Sequence, residues 1–110
     1  MYHIYDTSMD NIADITSRIK QIKADLAALE DMRPGSLSAQ SRRWGGKYHQ
    51  LSYIHRGKGH TEYVREADRA EVQRQLAAYK RFRALTKEWV DLAMKLCKLK
   101  AKSEASDDAT

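Results

Sequence analysis

Arg42, Arg43, Trp44, Lys47 and Tyr48 fall within seven residues, RRWGGKY, and combine three cations with two aromatic rings. A guanidinium can fork onto phosphate, and an indole or phenol can stack on an exposed base. Gly45 and Gly46 let backbone N–H groups come close to an anion. Further along, Arg56 and Lys58 alternate with Gly57 and Gly59. From Arg42 to Arg65 six bases stand against one acid, Glu62, so the stretch nets +5, the charge of the whole chain. The chemistry is anion binding, with nucleic acid as the favoured partner. Two other readings stay open. The same residues suit contact with an acidic protein surface, where tryptophan and arginine serve as anchors. They also suit a solvated turn in which Trp44 only fixes the loop to the core.

A second basic set lies near the C-terminus. Lys80, Arg83 and Lys87 fall at i, i+3 and i+7, one face of a helix. That face either tracks a phosphate backbone or is simply solvated. His49, His55 and His60 raise the question of a metal. In a hairpin turning at Gly57-Lys58, His55 opposes His60 at a Cβ separation of about 5 Å. His49 lies some 20 Å along the strand from His55, so three ligands do not converge and no metal is expected. No Ser-His-Asp order, phosphate loop, HExxH motif or paired carboxylates occur. The expectation is a non-enzymatic protein with no cofactor and no small-molecule substrate.

Helices must position these groups. Ile12, Ile15, Ile19, Ile22, Leu26 and Leu29 follow one another at steps of 3, 4, 3, 4 and 3, an a/d heptad seam. The spacing predicts a helix over 8–33, capped by Ser8 or Asp10 and stopped by Pro34-Gly35. A second apolar line runs Val72, Leu76, Tyr79, Phe82, Leu85, Trp89, Leu92, Leu96, Leu99, within a predicted helix over 67–102. Its heptad slips between Tyr79 and Leu85, which locally alters supercoiling or lets the stripe change partner. At 1.5 Å per residue the two helices span about 35 and 50 Å, so the longer one has apolar surface left over. A second copy of the chain, joined through the helical seams, is the simplest cover. Tyr79 and Trp89 read as core, and Cys97 as a small packed hydrophobe.

Between the helices the period changes. Residues 34–47 read as a basic loop, and 48–65 as a β-hairpin rich in Tyr, Ile and Val. The Gly57-Lys58 turn pairs Arg56 with Gly59, Tyr53 with Glu62 and Leu51 with Val64. One face of such a hairpin must rest on the helices. Residues 103–110, SEASDDAT, read as a flexible tail.

The chain has 110 residues, enough for a single domain over 1–110 with one modest core. With 32% charged and 42% hydrophobic residues it is ordered and helix-rich rather than disordered. No apolar run approaches the ~20 residues of a membrane span, and the N-terminus lacks the pattern of a signal peptide. Cys97 is the only cysteine, which excludes an internal disulfide and suits a reducing cytoplasm.

The segments MRPGSLSAQ at 32–40, YHQLSYIHRGKGHTEYV at 48–64 and AYKRFR at 78–83 resemble, in this order, a small prokaryotic domain family. That family is found alone or beside transposases and other mobile-element genes. Its members run GSLS-Q, a cysteine-rich knuckle, an aromatic-LSY strand, a Gly-Lys turn, T-x-YV and a helix with YRRFREL. The resemblance covers about residues 30–95. Where the family has its knuckle, this chain has SRRWGGK at 41–47, with no cysteine for zinc.

The fold expected is α+β: two long antiparallel helices with an intervening β-hairpin, forming a helical homodimer. The expected function is a cytoplasmic nucleic-acid-binding accessory or regulatory protein of a mobile element, its basic loop and hairpin touching phosphates. The alternatives are a phage or mobile-element inhibitor that binds a host protein complex, such as a CRISPR nuclease, and a structural coiled-coil adaptor.

Overall fold

The computed structural model describes residues 11–41 and 47–108, with side chains described for 11–41 and 48–103. The element order is α1 (Ile12–Ala27), β1 (Ser36–Ser41), β2 (Lys47–His55), β3 (Lys58–Val64), a 3-10 turn (Glu66–Asp68) and α2 (Arg69–Asp108). The architecture is α+β, with a three-stranded antiparallel sheet in the order β1-β2-β3. The chain divides into two compact units, Met1–Ala28 with Arg83–Thr110, and Leu29–Phe82.

In the helical unit, Asn11 caps α1: its side-chain oxygen accepts from the Asp14 N–H at 2.8 Å. Ser8 and Asp10, the expected caps, lie outside the described residues. Ile15, Ile19 and Ile22 are buried against Leu85 and Leu92, with Leu26, Trp89, Leu96 and Leu99 packed around them. Ile15 and Ile22 are fully buried and Leu85 nearly so, and each such side chain contributes about 1.5–3 kcal/mol. Arg18 closes the flank with two 2.7 Å bonds to the Glu88 carboxylate, and Lys23 lies 5.3 Å from the centre of the Trp89 ring.

The core of the α1 seam is thus covered by α2 of the same chain. Ile12 and Leu29, its expected end positions, are not among the buried residues. The helix is also shorter than predicted, 16 residues rather than a run to Arg33. The chain from Ala28 onward has to reach β1, and Arg33 donates its N–H to the Gln75 carbonyl in α2 at 3.2 Å. A helical Arg33 would spend that N–H inside its own helix.

The sheet unit holds the second core. Leu51, Val64 and Val72 are buried together, with Leu37, Tyr53 and Leu76 packed against them. The apolar line of α2 therefore changes partner where its heptad slips. Val72 and Leu76 serve the sheet, and Leu85 onward serves α1. The rings of Tyr79 and Phe82 stack 6.3 Å apart, at the end of the sheet unit's share of the helix.

Three further expectations need correction. Residues 36–41, read as part of a basic loop, form β1 and pair with β2 from Ser36↔Ser52 to Ser41↔Lys47. Leu37 is the only large apolar residue of that strand, too little for a period-2 signal, yet it reaches the core. The β2–β3 turn is Arg56-Gly57, not Gly57-Lys58. Both residues have positive φ, 53° and 79°, as a tight turn matched to strand twist requires. The register accordingly pairs His55 with Lys58, Tyr53 with His60 and Leu51 with Glu62. This differs from the predicted register by two residues, an even slip that leaves every side chain on its predicted face. Finally, α2 continues to Asp108 through most of the predicted tail, since Lys, Ala and Glu extend a helix at little cost.

Gly35 is the tightest point of the sheet unit. Its φ is +128°, and a Cβ there would meet the Ser52 carbonyl oxygen at 2.7 Å and Leu51 and Tyr53 side chains at 3.0–3.1 Å. Gly35→Ala is expected to destabilise the sheet unit by about 2–4 kcal/mol, through strain and clash together. Chemical denaturation checks this. A midpoint equal to that of the unmodified chain would show that the close approach is absent.

Candidate nucleic-acid interface

Pairing across the three strands sorts the sheet into two faces. Leu37, Leu51 and Val64 mark the inner face, with Val72 and Leu76 of α2 packed against it. The outer face carries Ser36, Ser38 and Gln40 from β1, Tyr48, Gln50, Ser52 and Ile54 from β2, and Gly59, Thr61 and Tyr63 from β3. No residue of this face bears a formal charge. Its polar groups are hydroxyls and amides, which both donate and accept.

Two aromatic rings meet on it. Tyr48 and Tyr63 have centroids 5.4 Å apart at an interplanar angle of 34°, and Tyr63 is 55% exposed. Ile54, further along β2, is 74% exposed. Such a face offers apolar stacking area beside hydrogen-bonding groups.

Charge lies at the ends of the strands. Arg56 and Lys58 are exposed at the β2–β3 turn. Lys47 begins β2, opposite Ser41, and its side chain lies outside the described residues, as do Arg42, Arg43 and Trp44. Lys47 and the Arg56 turn stand at opposite ends of a nine-residue strand, about 27 Å apart by strand rise. The start of β2 and its turn are therefore well separated along the sheet. The tyrosine pair lies toward the end of β2 at which Lys47 stands, and Arg56 and Lys58 lie at the other.

The remaining sequence candidates sit elsewhere. Lys80 is exposed on α2 and borders a groove with Gly35, Ser36 and Leu37 at the start of β1. Arg83 and Lys87 are exposed on the helical unit's part of α2, beside Val90. The histidines are dispersed. His55 faces Lys58, His60 stacks on Tyr53 at 5.0 Å, and buried His49 bonds to Glu66, so the predicted His55–His60 opposition does not form. Among the described residues no group of three or more His, Cys, Asp or Glu could hold a metal ion.

Sequence reasoning missed Tyr63 as a partner of Tyr48 and missed the polar composition of the outer face. Strand parity alone would have grouped Tyr48, Gln50, Ser52 and Ile54. Linking them to Tyr63 required the true register, in which Tyr63 pairs with Gln50.

A polar network fixes the β3 edge. The Tyr53 hydroxyl donates to Glu62 at 2.5 Å, and the Arg33 guanidinium donates to the other Glu62 oxygen at 3.0 Å. The bond to Glu62 raises the Tyr53 hydroxyl above the ordinary phenol value. The Tyr53 hydroxyl first, and then Arg33, hold the Glu62 carboxyl below the usual carboxylate range. Glu66 is lowered in turn, chiefly by its bond to His49 and further by Arg69. Glu71 is lowered chiefly by its bond to Arg74.

These shifts fix the sign of the acid response. A carboxylate whose folded pKa lies below its unfolded value contributes stability above the unfolded pKa, about 4.3 for Glu. That contribution is lost as pH falls through the folded value. The sheet unit is expected to lose stability as pH drops below about 4.3, and Glu66→Gln to flatten this acid limb. Thermal melts across pH 2–8 check it. An acid limb of unchanged steepness would show that Glu66 does not carry it.

No protein-family model matches the chain, and neither curated proteins nor solved structures yield a match. Fold and face define an α+β protein with an uncharged sheet face among the described residues, and Arg56 and Lys58 exposed at one end of its strands. No helix among the described residues is long and apolar enough to cross a membrane.

Proposed function

We propose that the protein binds single-stranded nucleic acid, without catalysing a reaction, on the outer face of its sheet. The observation that carries this reading is the Tyr48–Tyr63 pair on an open face free of formal charge, with Arg56 and Lys58 exposed at one end of its strands. Bases stack on exposed aromatic rings in a sequence-tolerant way, and amides and hydroxyls on the same face can meet base edges. Arg56 and Lys58 at one end, and Arg42, Arg43 and Lys47 at the other, supply phosphate contacts that position the strand. A duplex, with its bases already stacked, cannot use the tyrosines in this way.

The motif resemblance supports reading such an activity as that of an accessory or regulatory protein of a mobile element. Binding of labelled single-stranded and duplex oligonucleotides over a salt series tests the reading. Single strands are expected to bind more tightly, with affinity falling linearly against log salt. Equal affinity for the duplex, or no binding at low salt, would overturn it.

A further inference from the structure

The sheet has two edge strands, and they differ in how they meet a further strand. β3 carries Lys58 and Glu62, and Glu62 is itself held by Tyr53 and Arg33. Charged side chains on an edge discourage another strand from pairing there. β1, SLSAQS, has no formal charge and no proline, and its side chains are short apart from Leu37 and Gln40. Ser38 and Gln40 direct their polar groups into the sheet. The Gln40 amide donates to the Ser38 hydroxyl at 3.1 Å, and that hydroxyl donates to the Gln50 carbonyl at 3.4 Å. Because β1 runs antiparallel to β2, every second residue turns its N–H and C=O away from β2. Among the described residues no backbone group bonds to that outer edge.

Beside this edge runs a groove of about 360 Å³. Ser36 and Leu37 form its strand side, and Gln73, Leu76, Ala77 and Lys80 of α2 the other. Leu37 and Leu76 are half-buried and Ala77 is exposed, so the groove offers apolar area. Lys80 is exposed, and among the described residues it pairs with no acid. We propose that β1 and this groove bind an extended acidic peptide of a partner protein, which adds a fourth strand to the sheet. The outward N–H and C=O groups require another backbone, and main-chain bonds of this kind supply affinity. Alternate side chains of the added strand enter the groove, an aliphatic one against Leu37 and Leu76 and a carboxylate at Lys80. Lys80 selects this occupant over a second copy. β1 contains no acid, so β1 paired with itself leaves both lysines unmatched. A nucleic acid could meet Lys80 but cannot continue the ladder. The site uses only residues of the sheet unit and does not depend on the outer face.

Amide hydrogen exchange of the full chain, read by NMR, tests the proposal with a defined probe. The probe is a short peptide in which threonine alternates with glutamate and valine in turn, and its counterpart has lysine in place of glutamate. In the free chain every second amide of β1 is expected to exchange quickly. Millimolar acidic peptide should slow those amides about tenfold or more. The lysine peptide should bind about fivefold more weakly, and Lys80→Glu should reverse that preference while the fold persists, since Lys80 lies on the surface. No protection of β1 by millimolar acidic peptide overturns the proposal. So does protection of every β1 amide in the free chain, which would show the edge already covered by the chain itself or by a second copy. Equal binding of the two peptides, or equal protection by a single-stranded oligonucleotide, overturns it as well.

Discussion

Ile19→Asp is expected to melt α1 and to remove most of the cooperative unfolding of the helical unit. Ile19 is 8% exposed and belongs to the cluster that Ile15 and Ile22 form with Leu85 and Leu92. A carboxylate there would lose its hydration among aliphatic side chains. Burying such a group unpaired costs several kcal/mol, a large part of the 5–15 kcal/mol that stabilises a typical domain. Ile15→Ala or Ile22→Ala should be milder, at about 2–5 kcal/mol, because each leaves only a cavity. Met94→Asp makes the sharpest control, since it adds the same charge to an exposed position of α2. Circular dichroism and thermal melts should separate the two aspartates clearly. Wild-type helicity in Ile19→Asp would mean that α1 does not pack as described.

The seam of α1 was legible because buried residues of a helix recur every three or four positions, and Ile15, Ile19 and Ile22 do so in succession. What covers it was not legible. A heptad stripe states that a face is apolar and leaves open whether the partner is a second chain or a distant part of the same one. Leu85 through Leu99 resolve this by supplying an equally long stripe inside the chain. The slip between Tyr79 and Leu85 did carry that information, since α2 exchanges the sheet for α1 there.

The sheet was legible in part for related reasons. Tyr, Ile and Val around a Gly-Lys repeat mark a hairpin, and β2 and β3 fall where the composition places them. Register was beyond the pattern, because shifting the pairing by two residues buries the same side chains. Only turn geometry decides, and Arg56 at a φ of 53° accepts a conformation that non-glycine residues seldom adopt. β1 escaped notice because serine, alanine and glutamine give almost no hydropathy alternation around Leu37. The missing strand concealed the outer face, on which Tyr48, read as the first residue of the hairpin and the last of RRWGGKY, meets Tyr63.

Tyr48→Ala combined with Tyr63→Ala is expected to weaken binding of single strands by about 2–6 kcal/mol, at roughly 1–3 kcal/mol for each base that loses its ring. Both side chains lie on the outer face, and neither belongs to the buried clusters of the sheet unit, so the fold should persist. The salt slope should stay as it is, because no phosphate contact is removed. Arg56→Ala with Lys58→Ala should do the opposite. Affinity should fall more modestly, and the slope against log salt should drop by about 1.4, two contacts at the value of 0.7 each that holds for single strands. Stacking and charge thus become separable in one titration series. Retained affinity in the tyrosine double mutant, with circular dichroism matching wild type, would remove the sheet face from the binding site. Attention would then return to the RRWGGKY segment, where Arg42→Ala with Arg43→Ala and Trp44→Ala repeat the same separation of charge from stacking.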